Sequence, residues 1–224
     1  MCSVPRIGAT VLALGLLNGM ICTPAAAQNI VLNPSFESPV VQANGFNGYS
    51  AGSTGITSWT VASGSVDHIG AGFWQAADGV QSVDMNGTDA GSLFQDLVTI
   101  PGSAYNLTFA LAGNPAGAPT IKHLQVVWNG LNQGTFTFDI TGKSFANMGY
   151  ITVPVSGLQA TGASTRLQFT SLDAGSAAGP VLDNVSVVRT GVATTPEPGS
   201  ISLLTGISIA GGVFTLRRRR SRLV

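Results

Sequence analysis

The sequence predicts an all-β protein built on a single β-sandwich over residues 28–190. Three observations carry that expectation. Apolar residues recur at every second position in short runs, turn signals separate the runs, and no stretch between 28 and 190 holds a helical period. About 160 residues are enough for one proper core, so one domain is expected.

The runs follow in order. Leu107, Phe109 and Leu111 share one face of a strand, as do Leu124, Val126 and Trp128, then Phe136 and Phe138. Ile151, Val153 and Val155 follow, then Leu167 and Phe169, then Val185 and Val187. Each set has the period of two that puts alternate side chains on one side of a sheet. Between them stand Pro101-Gly102, Gly113-Asn114-Pro115, Asn129-Gly130 and Thr141-Gly142, residues suited to tight turns. No internal repeat is present.

The N-terminal flank reads as a secretory signal peptide over residues 1–27. Arg6 supplies the positive start, Ile7 to Ile21 an apolar signal helix, and Ala25-Ala26-Ala27 a small-residue cleavage site before Gln28. Both cysteines, Cys2 and Cys22, fall inside this segment. Cleavage after Ala27 therefore leaves a mature chain without a disulfide, thiol nucleophile or thiolate metal site. Cys22 as a lipid attachment point is the other reading, but Ile21 stands where a small residue is needed.

The C-terminal flank reads as a linker over residues 191–200, then a transmembrane helix and basic tail over 201–224. Thr194, Thr195, Pro196 and Pro198 suit an extended spacer. Ile201 to Leu216, as a helix, spans roughly 24 Å, short of a hydrocarbon core of about 30 Å. Snorkelling of flanking arginines and local bilayer thinning close that gap. Arg217, Arg218, Arg219 and Arg220 hold their end in the cytoplasm and act as the membrane stop. A buried core helix followed by a free basic tail is the alternative. It would show a polar face, and the run offers only Ser202, Thr205, Ser208 and Thr215.

A formal net charge of zero for the whole chain hides an uneven distribution. Residues 28–190 hold Lys122, Lys143, Arg166 and Arg189 against nine acidic residues, a net of −5. An acidic exported domain argues against nucleic acid as a partner.

Two sets of motifs resemble known families. Pro196-Glu197-Pro198, the apolar run and the arginine cluster together resemble the PEP-CTERM sorting signal of Gram-negative bacteria. That resemblance implies an exosortase as processing partner, cleavage near Pro196-Glu197-Pro198, a transient inner-membrane anchor, and a final place at the cell surface or in the extracellular matrix. Within the domain, the segment from Asn29 to Glu37 resembles the first strand of carbohydrate-binding jelly rolls. The stretches Trp59 to Asp67, Trp74 to Gly87 and Gly179 to Val187 extend the match. Together they resemble the "choice-of-anchor C" family, related to plant cell-wall proteins of domain-of-unknown-function family 642. The resemblance implies a galactose-binding-like jelly roll and a surface location, and it leaves the biochemical activity open.

In such folds the first and last strands pair, which would bring Glu37 near Asp183. Two close carboxylates need either a structural calcium ion, completed by carbonyls around residues 35–38, or backbone N–H donors that tie the two ends together. Polysaccharide binding would need an exposed aromatic flanked by amide or carboxylate side chains. Tyr49 in a glycine-rich loop, Trp59, and Trp74 beside Gln75 are the candidates. Phe73 and Trp74, if extended, point to opposite sides. Core packing is the competing reading for every tryptophan, most of all Trp128.

Catalysis is not expected. His68 and His123 are the only histidines, and nucleophile-elbow, zinc-protease and phosphate-loop motifs are missing. A carboxylate pair such as Asp78 with Asp84 keeps a secreted glycoside hydrolase as a remote alternative. The expected function is a non-catalytic surface protein that binds polysaccharide. The competing reading is a structural protein that packs against copies of itself or other matrix proteins.

Overall fold

A computed structural model describes residues 28–190. The expected signal segment ending at Ala27, the linker with Pro196, Glu197 and Pro198, and the apolar span with Arg217 to Arg220 lie outside the described residues. Eleven strands, and no helix among the described residues, form the domain. They are β1 (Phe46–Ser50), β2 (Thr60–Ser63), β3 (Ser65–Ile69), β4 (Ser82–Asp84), β5 (Ser92–Val98) and β6 (Ala104–Gly113). Then come β7 (Ile121–Trp128), β8 (Leu131–Asp139), β9 (Ile151–Gln159), β10 (Ser164–Ser171) and β11 (Pro180–Arg189).

The strands make two antiparallel sheets. One has six strands in the order β1-β3-β4-β11-β6-β9, the other five in the order β2-β5-β10-β7-β8. The all-β, two-sheet sandwich expected from the sequence is present. Its core lies between the sheets, where Leu107, Phe109, Leu111, Leu124, Val126, Leu167, Phe169, Val185 and Val187 are fully buried. Each such side chain contributes about 1.5–3 kcal/mol by leaving water. Asn129-Gly130 makes the two-residue β7–β8 turn with φ of 52° and 77°, the left-handed geometry that Asn and Gly tolerate.

One strand departs from its expected alternation. Val153 is buried, but Ile151 is 45% exposed and Val155 only partly covered. The strand β9 is the edge of its sheet and Ile151 is its first residue, so the opposite sheet does not cover that end.

The N-terminal segment joins β11 through an Asn29–Val188 bridge and the bonds Ile30 N to Val187 O and Val185 N to Pro34 O. A register shift between Asp183 and Ser186 marks a bulge in β11, with Asn184 at φ 45°. The bulge leaves Asp183 buried and Asn184 exposed, and it aims the Asp183 carboxylate at the loop before β4.

At the other side of β11 the chain buries a charge. Lys122 is completely enclosed, and its ammonium donates to the carbonyls of Gly117 (2.8 Å) and Ala178. Burial lowers its pKa, while Asp173 and Asp84 nearby favour the charged form. Asp173 accepts from His123 N (2.9 Å) and Nδ1 (2.8 Å), and Asn86 Nδ2 donates to the carbonyls of Asp173 and Ser176. The loops 114–120 and 172–179 are held together by this network.

Candidate functional site

Three separate segments bring aromatic rings to one surface. Phe46 comes from the start of β1, Phe73 and Trp74 from the β3–β4 loop, and Phe145 from the β8–β9 loop. Phe46 and Phe145 are 53% and 40% exposed, Phe73 is half-buried and Trp74 is buried. Phe73 lies 5.8 Å from Phe46 edge-on and 5.5 Å from Phe145 at 33°, while Trp74 meets Phe145 at 5.8 Å. The result is a shelf of phenylalanines on a tryptophan base. Two large apolar side chains left open to solvent, with a half-buried third between them, need a reason, because single exposed residues are common and clusters are not.

The base is fixed by hydrogen bonds. Trp74 Nε1 donates to Ser82 Oγ at 2.8 Å, which orients the indole beneath the shelf. Gln75 joins the two loops: its backbone N–H donates to Phe145 O at 2.8 Å and its Oε1 accepts from Met148 N at 3.1 Å. Gln75 also separates the shallow aromatic pocket from a second, polar depression lined by Ala77, Asn147, Tyr150, Thr152 and Asn184. Burial raises the pKa of the Tyr150 hydroxyl, so it stays neutral.

Of the residues proposed for ligand contact from the sequence, Trp74 and Gln75 belong to this surface. Trp59 does not: it is 1% exposed, packs on Phe36 and Phe169, and uses its indole N–H on Asn33 O at 3.1 Å. A sugar has no access to it, because the whole side chain is enclosed in the core. Tyr49 sits on β1 with its ring against Gly55 and 6.4 Å from His68, half-buried and away from the shelf. Trp128 is a core residue, as its place in an alternating strand suggested. Phe73 and Trp74 lie in a turn closed by Phe73 N to Gly70 O, not in an extended strand, yet one does point inward and the other partly out.

Phe46 and Phe145 were missed in the sequence reading. The available signal was an aromatic set among turn residues: Gly45-Phe46-Asn47 and Lys143-Ser144-Phe145-Ala146-Asn147. Neither segment has an alternating partner that would place its phenylalanine in a core.

Glu37 and Asp183 reach the same loop from opposite ends. Glu37 Oε1 accepts from the N–H groups of Val80 and Gln81, both at 2.8 Å. Asp183 Oδ2 accepts from Ala77 N (2.7 Å) and Asp78 N (3.0 Å), and its Oδ1 from Asn184 N (2.6 Å). Burial pushes the Asp183 carboxyl up to about 7 against the pull of these donors. Backbone N–H donors thus meet Glu37 Oε1 and both oxygens of Asp183, the alternative to a shared calcium ion that the sequence offers for this pair. Among the described residues no three His, Cys, Asp or Glu side chains converge as metal ligands. The pair instead clamps residues 77–81, whose start forms part of the polar depression. Gly79, at φ 63°, lets the clamp close, since a Cβ there would lie 2.3 Å from Glu37 Oε1.

The carboxylates considered for hydrolysis do not share a cleft. Asp84 is 1% exposed and accepts from Asn86 N, Gly179 N and Asn114 Nδ2, whereas Asp78 is exposed and takes the hydroxyl of Ser35. His68 is buried, with Nε2 donating to Phe36 O at 2.6 Å.

These features define a class: an all-β sandwich domain of two antiparallel sheets that presents an aromatic shelf beside an uncharged polar depression. The chain belongs to the family described as "Protein of unknown function (DUF642)", whose model matches residues 29–188. It is 29% identical over 194 residues to halomucin of Haloquadratum walsbyi, covering 83% of this chain and 2% of that protein. The chain thus spans a small fraction of the curated relative that it matches.

Among solved structures it is similar to TmCBM61 in complex with β-1,4-galactotriose, with 14% identity, a TM-score of 0.44, and coverage of 73% of this chain and 100% of that one. It is similar to a family 35 carbohydrate-binding module from Clostridium thermocellum, with 15% identity, TM-score 0.40 and coverage of 66% and 95%. The CBM22-1 xylan-binding domain of Paenibacillus barcinonensis Xyn10C gives 17% identity, TM-score 0.43 and coverage of 69% and 100%.

Proposed function

We propose that this chain is an exported, non-catalytic jelly-roll module that binds polysaccharide through the Phe46–Phe73–Phe145 shelf. The observation that carries the reading is the shelf itself. It offers the exposed rings of Phe46 and Phe145, with Phe73 between them, to the C–H face of a sugar, next to Gln75, Asn147 and Thr152 for hydroxyl groups. An aromatic stack contributes about 0.5–1.5 kcal/mol beyond burial, and a few such contacts give the weak, repeated grip suited to a polymer. The buried Asp84 and the hydrogen-bonded His68 support a binding role over a catalytic one.

The sequence motifs supply the location. The signal segment, Pro196-Glu197-Pro198 and the arginine stop support export, transient anchoring and exosortase cleavage, ending at the cell surface or in the extracellular matrix of a Gram-negative bacterium. The test of binding is co-sedimentation of the protein with insoluble polysaccharides, comparing the natural chain with a Phe46→Ala/Phe145→Ala variant. Loss of sedimentation in a variant with an unchanged unfolding midpoint supports the shelf; equal sedimentation of both refutes it.

A further inference from the structure

We infer that the shelf and its depression select a neutral glycan over one bearing uronate or sulfate groups; this rests on the polysaccharide-binding reading and specifies its ligand class. The lining among the described residues is aromatic on one side and carries amide and hydroxyl side chains on the other, with Gln75, Asn147, Thr152 and Asn184 supplying the polar atoms. No ionisable acid or base is part of it except the Tyr150 hydroxyl, which burial keeps protonated. Gln75 Oε1 is taken by Met148 N, so its amide N–H2 is what remains to meet a hydroxyl oxygen.

The cations of the domain are placed elsewhere or singly. Lys122 is enclosed and committed to two carbonyls, and Arg166 is held by Asp96 through two bonds of 2.8 Å while it covers the Phe94 ring at 3.6 Å. Arg189 ends β11, away from the loops that build the shelf. Lys143 alone approaches the depression: its ammonium packs over Gly149, 5.7 Å from the Phe138 ring, and its charge acts on Asp139. Recognition of a repeating anionic chain relies on several cations, preferably arginines that bind in a bidentate manner. One lysine does not supply this.

The floor of the depression opposes anions further. The Asp183 carboxylate lies buried directly behind Ala77 and Asn184 and takes hydrogen bonds from both backbone N–H groups. Those amides are therefore not available as anion donors. The surrounding domain, at −5, repels polyanions at long range until salt screens it. A neutral polymer meets neither penalty, and its binding by stacking and hydroxyl contacts does not depend on ionic strength.

The experiment is affinity electrophoresis of the full chain in gels containing neutral polysaccharides (a β-galactan, a β-glucan, a xylan) or anionic ones (alginate, polygalacturonate), at low and high salt. The expected result is retardation by at least one neutral polymer, unchanged by salt, weakened about tenfold by Phe145→Ala and unaffected by Lys143→Ala. Tenfold corresponds to about 1.4 kcal/mol, within reach of one lost stacking ring plus its burial. Retardation by anionic polymers alone, weakened by salt and by Lys143→Ala, overturns the neutral class and leaves polysaccharide binding standing. No retardation by any polymer overturns both.

Discussion

Asp67 on β3 and Asp84 on β4 stand directly opposite one another across an antiparallel pair, in the middle of the six-stranded sheet. Like charges in that register repel, and here one of the two, Asp84, is buried while Asp67 is half-buried. Burial pushes Asp67 up to about 6, and burial followed by the charge of Asp67 pushes Asp84 to about 7 despite three hydrogen-bond donors. Both folded-state values lie above the usual 3.8. Their stabilising contribution is therefore complete below about pH 4 and lost as pH rises through 6 to 7.

This linkage can be isolated with Asp84→Asn. His68 works in the opposite sense, because burial keeps it neutral and its contribution is lost as pH falls below about 6.5. The difference between the natural chain and Asp84→Asn removes that background. Urea unfolding should show the variant gaining on the natural protein between pH 4.5 and pH 8, by an amount on the order of a few kcal/mol. A difference that stays constant across this range contradicts the assignment.

The clamp on residues 77–81 makes a second prediction. Gly79→Ala places a Cβ on the Glu37 carboxylate at a backbone angle that favours glycine, so it should cost more than about 1 kcal/mol. Glu37→Gln exchanges the charged oxygen that takes both N–H groups for a weaker, neutral amide oxygen and should cost about 1 kcal/mol. Thermal unfolding followed by circular dichroism checks both, and midpoints within a degree of the natural protein count against the clamp.

Calcium removal should change little. Five N–H groups already meet Glu37 Oε1 and both oxygens of Asp183. The unfolding midpoint is expected to be the same in EGTA as in millimolar calcium. A calcium-dependent rise of several degrees would return a metal to these two residues and require the loop to reorganise around it.

Two aromatic residues should separate folding from binding. Trp59→Ala empties a core position between Phe36 and Phe169 and should cost about 3–5 kcal/mol. Phe145→Ala trims a residue that is 40% exposed and should cost less than about 1 kcal/mol while weakening retention on polysaccharide. The reverse pattern, with Phe145→Ala unfolding the domain, would make the shelf a structural element.

Sorting is checked on the protein isolated from its native host. Mass spectrometry should find a first residue of Gln28 and no peptides beyond Leu203. Recovery of the segment from Arg217 to Arg220 would mean a permanent anchor.

How much of this was legible in the sequence depended on distance along the chain. Alternation is a local property, so Leu107 to Leu111 and Leu124 to Trp128 were readable as strand faces, and Asn129-Gly130 as their turn. Ile151 misled because position in a sheet, not spacing, decides whether a strand end is covered. The shelf was half legible. Trp74 and Gln75 stood out by composition, but Phe46, Phe73 and Phe145 meet only after a strand end and two loops have been assembled. The turn of Asp183 toward the 77–81 loop depends on a one-residue irregularity in β11, which leaves no mark in the pattern except the tolerance of Asn184 for a positive φ.

The enclosed ammonium of Lys122 has a consequence for how the domain depends on its medium. It sits between the carbonyls of Gly117 and Ala178 with Asp84 and Asp173 close by, the surroundings in which a diffusible cation would otherwise be useful. Here the positive charge is covalently tethered to the chain. Dilution cannot wash it out and chelators cannot extract it, so the link it makes between the loops of Gly117 and Ala178 needs no ion from the surrounding medium.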